Sequence, residues 1–396
     1  MNGNEFLDKM ELVDPAYVEA ADTAPKKKKG AWLRWGAIAA CLCAAAIGGF
    51  VLSRPAKPQL ADVTGLEMIT IPKLPVDGMG FEGRLYYDIA ERKDRNPWSE
   101  SMKISTLPVY RNGSYDPTGA GVPKGMNEAE MTEKLNHITS ALHLTVLSTE
   151  VKADGHTIED GKMVPSSAPT EIYAQTDNGT ISVWADGRVD YFLPEEGLAL
   201  PDEYHFTYGA TTEAEAEKVL SYLTETYAKL LNFAEPQFVS DKSYYFSGEF
   251  SRSYQVYDAA GDDIQDILNY NFNSVYFQPN SRGNLYLVSL SGGLLTAEKI
   301  GDYPIISPAQ AMARLAAGHY QTSVPFRFPG KKWIGQAELI YRTGRLEEML
   351  LPYYRFHVLL PDECMDNGLK NYGAYYVPAI AEEYIANMPI YDGRFD

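Results

Sequence analysis

The chain has 396 residues, 45% of them apolar and 12% aromatic, and a formal net charge of −18. That composition excludes a disordered protein, and the charge excludes nucleic acid or anionic lipid as a bulk electrostatic partner. With only Cys41, Cys43 and Cys364, a disulfide scaffold is excluded too, and stability must come from ordinary cores.

Residues 1–25 place Phe6, Leu7, Met10 and Val13 at helical spacing. Asp14-Pro15 reads as the cap and first residue of a second short helix with Tyr17 and Val18. Such a tail suits docking on a cytoplasmic partner, lying on a membrane surface, or fraying, because short isolated helices are marginal in water.

Residues 35–53, WGAIAACLCAAAIGGFVLS, carry no charge and lie between Arg34 and Arg54, with Trp35 at the entry. As a helix they span about 28 Å, close to a bilayer's hydrocarbon core. Lys26, Lys27, Lys28 and Lys29 precede them and should stay cytoplasmic, sending the C-terminal region outside. A cleaved signal peptide and a lipobox ending at Cys41 are competing readings, but the length and flanks favour a retained transmembrane helix. Through Arg54 there are six acids and seven bases, leaving 47 acids and 28 bases for the outer part.

Residues 55–125 read as a linker and irregular segment, rich in Pro and Gly, with possible strands at 85–89 and 103–110. A helix is expected over 127–142, with Met131, Leu135, Ile138 and Leu142 on one stripe. Strands follow at 144–151, 170–176 and in a hairpin over 180–193, where Asp186-Gly187 signals a type I′ turn. A second helix runs over about 212–231, capped by Thr211 or Thr212, with strands near 236–247, 250–258, 268–278 and 284–291. A third begins at Ser307-Pro308 and ends near Gly318, with strands at 333–343, 350–359 and 372–380. The expected fold class is α+β: repeated helix-plus-antiparallel-sheet units over 126–205, 206–300 and 301–396, after one N-terminal transmembrane helix.

In the third unit, Ile306-Ser307-Pro308-Ala309-Gln310-Ala311, Ala317-Gly318-His319-Tyr320, Ala337-Glu338-Leu339-Ile340-Tyr341, Leu351-Pro352-Tyr353-Tyr354-Arg355-Phe356 and Tyr375-Tyr376-Val377-Pro378-Ala379 follow in order. This order resembles the PepSY-like and YycI-like extracytoplasmic domains of Gram-positive bacteria. The short tail, lysine run and tryptophan-flanked anchor resemble many Firmicutes membrane proteins, some of them anti-sigma-factor-like. The resemblance implies a bacterial cell-membrane protein, single-pass, that regulates a kinase, protease or sigma factor from outside. The tail departs from the anti-sigma pattern in lacking a His-x3-Cys-x2-Cys zinc motif.

No sequence motif for a catalytic nucleophile, a metalloprotease or a phosphate loop occurs, so the chain is read as a non-enzyme with no cofactor and no metal. His137 and His143 are six apart, a poor spacing for metal on a helix. Carboxylate pairs at Glu195-Glu196, Asp262-Asp263 and Glu382-Glu383, and Asp258, Asp262 and Asp266 around Gly261, read as solvated charge rather than as a glycosidase or calcium site. The 28 tyrosines include the pairs Tyr86-Tyr87, Tyr244-Tyr245, Tyr353-Tyr354 and Tyr375-Tyr376. On a strand each pair puts one ring inward and one outward, and outward rings can carry a glycan or peptide. Tyr353, Tyr354, Arg355 and Tyr375 are the expected ligand-binding residues, against the simpler reading of ordinary strand propensity. The expected function is an accessory or regulatory protein that binds a protein partner or a wall-derived ligand. The expected partners are therefore the bilayer through 35–53, a membrane or extracytoplasmic protein and wall glycan or peptide, without nucleic acid. The alternative is a passive cell-wall glycan or peptide binder.

Overall fold

The computed structural model describes residues 65–73, 83–116, 125–159, 162–344, 346–363 and 365–395. The tail, Lys26–Lys29, Arg34, Trp35, the apolar run, Arg54 and all three cysteines lie outside the described residues. Among the described residues no helix is long and apolar enough to cross a membrane.

Strands β1 (Arg84–Tyr86) and β2 (Thr106–Asn112) come first, separated by a 3-10 turn at Ile89–Glu91. Helix α1 (Glu128–Leu142) is started by a reciprocal capping box between Asn127 and Glu130 and buries Met131, Leu135 and Ile138. It leads into β3 (Val146–Lys152), the hairpin β4 (His156–Glu159) and β5 (Lys162–Pro165), then β6 (Glu171–Thr176), β7 (Gly179–Trp184) and β8 (Val189–Phe192). Helix α2 (Glu213–Thr226) has the same box between Thr212 and Glu215 and is followed by α3 (Ala228–Leu231), β9 (Pro236–Val239), β10 (Lys242–Tyr244), β11 (Phe250–Arg252) and β12 (Gln255–Asp258). Then come α4 (Asp263–Phe272), β13 (Val275–Pro279), β14 (Leu285–Leu290) and β15 (Ala297–Pro304). Helix α5 (Pro308–Ala317) is capped by Ser307 and closed by Gly318 at φ +91°. It precedes β16 (Gln321–Thr322), β17 (Ile334–Tyr341), β18 (Met349–Leu350), β19 (Pro352–Leu359) and β20 (Lys370–Pro378).

The fold is α+β, with 20% helix and 34% strand. An eight-stranded antiparallel sheet has the order β3-β6-β7-β8-β14-β13-β12-β9. Its two halves mirror each other about the β8–β14 seam, where Tyr191 faces Val288. Each half is led by one helix, and α1 and α2 bury their stripes in a single core over that sheet. The second sheet runs β11-β10-β1-β20-β19-β17, with β16 also on β20, and a small sheet runs β15-β2-β18. The stretch from β9 to β12 therefore serves both large sheets: its ends pair with each other in the first, while its middle, β10 and β11, extends the second.

Two local expectations change. Residues 268–272 belong to α4, not to a strand, because Asp262 accepts from Ile264 and Gln265 N–H and starts a helix that buries Ile267, Leu268 and Phe272. The Asp186-Gly187 turn is not type I′. Only Gly187 takes a positive φ, and its N–H donates to Trp184 O at 2.9 Å, which fits a turn closed by one left-handed glycine.

Both faces of the second sheet are covered. Leu315 of α5 packs with Tyr354, Phe356, Tyr375 and Val377 on one side. Val109 of β2, Tyr303 of β15, Ile69 and Ile71 pack with Tyr353 and Tyr376 on the other.

Candidate functional site

A line of polar side chains crosses this second face. Glu338 on β17 lies opposite Arg355 on β19, and Arg355 lies opposite Tyr376 on β20. His357 is two residues along from Arg355, so strand alternation returns it to the same face. Arg92 and Asp94 reach the line from the segment that follows β1, and Tyr270 reaches it from α4.

Glu338 is 1% exposed and gathers three donors. Arg92 holds it through Nη2 at 3.0 and 3.2 Å, Arg355 Nε reaches Oε1 at 2.6 Å, and His357 Nε2 reaches the same oxygen at 2.5 Å. Burial opposes its charge, but Arg355, Arg92 and His357 outweigh burial and hold its carboxyl well below the usual range. Arg92 Nη2 also meets Asp94 Oδ2 at 2.5 Å, and Tyr270 donates to that oxygen at 3.1 Å. Burial, then the Glu338 charge, pushes Asp94 up to about 7. Burial, then Arg92, lowers His357 to about 3, so His357 is neutral at pH 7 and its Nε2–H donates to Glu338. A paired, hydrogen-bonded cluster of this kind fixes geometry more than it adds stability. Here it locks the Arg92–Asp94 segment, 246 residues away in sequence, to the sheet.

The outer end of the line opens into a cavity of about 410 Å³. Its walls include Arg84, Arg342, Arg355, Tyr244 and Tyr376, and its described lining holds no carboxylate, thiol or imidazole. Arg342 Nε meets Glu347 Oε1 at 2.7 Å, and its guanidinium sits 5.0 Å from the Tyr376 ring centre. The Arg355 side chain is 23% exposed while its Nε is fixed by Glu338, so its free end faces the cavity. Arg84 is exposed, and no ion pair joins it to an acid among the described residues. Three guanidiniums, two of them held by carboxylates behind the wall, make a cationic recess in an acidic protein. Such forks suit carboxylate or phosphate oxygens.

A second cavity of about 270 Å³ meets the first at Arg84 and Ser243. It is walled by hydroxyls, among them those of Tyr208, Ser251, Ser253 and Tyr276, by the Gln278 amide, and by the charged Asp241 and Arg252. Asp241 Oδ1 accepts from the backbone N–H of Lys242 at 2.9 Å and of Lys93 at 3.2 Å.

Of the expected ligand-binding residues, only Arg355 reaches a cavity as a functional group. Tyr353, Tyr354 and Tyr375 are 0, 2 and 0% exposed, which corrects the outward-platform expectation: each face carries a core. Tyr354 donates to Ile306 O at 2.8 Å and Tyr375 to Phe326 O at 2.9 Å. Tyr87 and Tyr245 are exposed, but each lies just past the end of its strand, β1 and β10, rather than on an outward sheet face. The acidic groups are structural: Asp262 caps α4, Asp258 Oδ1 accepts from Ala234 and Glu235 N–H, and Asp266 Oδ1 from Gly261 N–H. Among the described residues no group of three or more His, Cys, Asp and Glu side chains is placed to hold a metal ion.

Sequence reading missed Arg84, Glu338, Arg92 and Asp94. Glu338 carried the one available signal, a carboxylate within the apolar strand Ala337-Glu338-Leu339-Ile340, since such a residue is seldom buried without a partner. No family model matches this chain, and neither a curated protein nor a solved structure does.

Proposed function

We propose that this chain is a membrane-anchored accessory or regulatory protein whose extracytoplasmic body binds an anionic ligand in the Arg84–Arg342–Arg355 cavity. The observation that carries the reading is that recess itself: cationic, open, and held rigid by a buried cluster, in a chain of net charge −18. Its described lining offers guanidiniums and hydroxyls but no nucleophile–base pair, which favours recognition over catalysis. The apolar run 35–53 with Lys26–Lys29 favours a single-pass anchor with the tail inside. The helix-led halves of the large sheet are compatible with the repeated, PepSY-like organisation and with a regulator of a bacterial membrane kinase, protease or sigma factor. Binding outside would be passed to a protein partner through the anchor and residues 2–25.

Crosslinking in membranes followed by mass spectrometry tests this on the full chain and on a deletion of residues 2–25. Capture of a kinase, protease or sigma regulator that vanishes with the tail supports the regulatory reading. Capture of wall material alone, unchanged by the deletion, contradicts it and favours the passive binder.

A further inference from the structure

We infer that the ligand is a short saccharide carrying one anionic group, which spans both cavities with its charge at Arg84. This rests on the proposed ligand-binding reading and names the class of ligand for that site. Two chemically different lobes meet at Arg84 and Ser243. An inorganic anion needs only guanidiniums and would leave the hydroxyls of the second lobe unused. The second lobe offers side chains that both donate and accept, which is what a row of sugar hydroxyls needs. Tyr208 OH lies 3.5 Å from Gln278 Oε1, at the outer limit of a hydrogen bond, so both groups have capacity left for a ligand. Tyr208 and Tyr276 are 41 and 39% exposed, leaving ring area for the apolar face of a pyranose. Together the lobes fall within the roughly 300–1,000 Å³ typical of small-molecule sites.

Asp241 sets the direction. Its carboxylate accepts hydrogen bonds from hydroxyls and offsets the charge of Arg252, the lobe's inner guanidinium, which is buried and already donates to Thr211 O and Ser240 O, so the anionic group belongs at the Arg84 end. There the two inner arginines are compensated by Glu347 and Glu338, whereas exposed Arg84, which reaches both lobes, makes no ion pair with Asp241 or any other acid among the described residues. Arg84 is therefore the group that discriminates charge.

Titration calorimetry of the full-length protein in lipid nanodiscs tests this with four probes. They are the disaccharide N-acetylglucosaminyl-N-acetylmuramic acid, the neutral N,N′-diacetylchitobiose, glucose 6-phosphate and inorganic phosphate. The acidic disaccharide should bind at least about tenfold more tightly than chitobiose. Arg84→Ala should erase that ratio, Arg84→Lys should restore part of it, and Tyr208→Ala should weaken both disaccharides alike. Glucose 6-phosphate binding more tightly than the acidic disaccharide, and also losing affinity with Arg84→Ala, would support the class with phosphate as its anion. Equal binding of chitobiose and the acidic disaccharide would overturn the proposal, as would inorganic phosphate matching the best saccharide. If no saccharide binds while tail-dependent crosslinks persist, the ligand class fails and the regulatory reading survives. If the crosslinks are also tail-independent, both fail.

Discussion

Asp94→Asn should uncover a pH dependence that the intact cluster cancels. Asp94 sits at about 7 in the folded protein, raised first by burial and then by Glu338. His357 sits at about 3, lowered first by burial and then by Arg92. Their unfolded values are about 3.9 and 6.5. From about pH 4 to 7, folded Asp94 keeps a proton that the unfolded chain has released, so its stabilisation is present at low pH and lost as pH rises. From about pH 3 to 6.5, the unfolded chain protonates His357 and the folded chain does not. That contribution is present above about pH 6.5 and lost as pH falls. Each slope is one proton, about 1.4 kcal/mol per pH unit, and the two have opposite signs. Relative to wild type, Asp94→Asn should therefore gain about 2–3 kcal/mol between pH 4.5 and 6.5, and His357→Asn should lose a similar amount. Urea unfolding followed by tryptophan fluorescence at four pH values measures both differences. Flat differences, or two of the same sign, would refute this assignment of protons in the cluster.

Glu338→Ala leaves buried Arg92 with Asp94 alone and removes the only carboxylate held by Arg355 among the described residues, and should cost about 3 kcal/mol. Glu67→Gln, at the exposed Arg111 pair, should cost under about 1 kcal/mol in the same urea assay. Tyr354→Ala should lower stability by about 3–5 kcal/mol, because its ring is core. A folded Tyr354→Ala protein with altered ligand affinity instead would restore the outward platform. Thr212→Ala removes the α2 capping box and should cost about 1 kcal/mol, read from the shift in thermal midpoint. Gly318→Ala meets no atom within 4 Å, so its cost, about 1 kcal/mol, should come from the positive φ alone and be smaller for Gly318→Asn.

Sequence alone made the helix starts legible because capping is local. Asn127 with Glu130, Thr212 with Glu215, and Ser307-Pro308 with Gln310 each lie within four residues of their partners. The same local chemistry at Asp262 stays hidden when Asp258, Asp262 and Asp266 are read together as solvated charge and 268–278 as a strand, although Asp262 caps α4. The cover over Tyr353 and Tyr376 was not legible, because Val109, Ile69 and Ile71 arrive from more than two hundred residues earlier. For the same reason Arg92 and Glu338 could not be paired in advance. Period-two alternation predicts which residues share a face and says nothing of whether that face is wet.

Hydrogen exchange of the full-length protein with saturating N-acetylglucosaminyl-N-acetylmuramic acid tests the cavity as the ligand site most directly. Exchange should slow in 83–86, 241–254 and 340–343, the segments that wall the two lobes, and the effect should disappear in Arg84→Ala. Protection confined to other regions, such as the 387–394 cavity wall, or identical in Arg84→Ala, would contradict it.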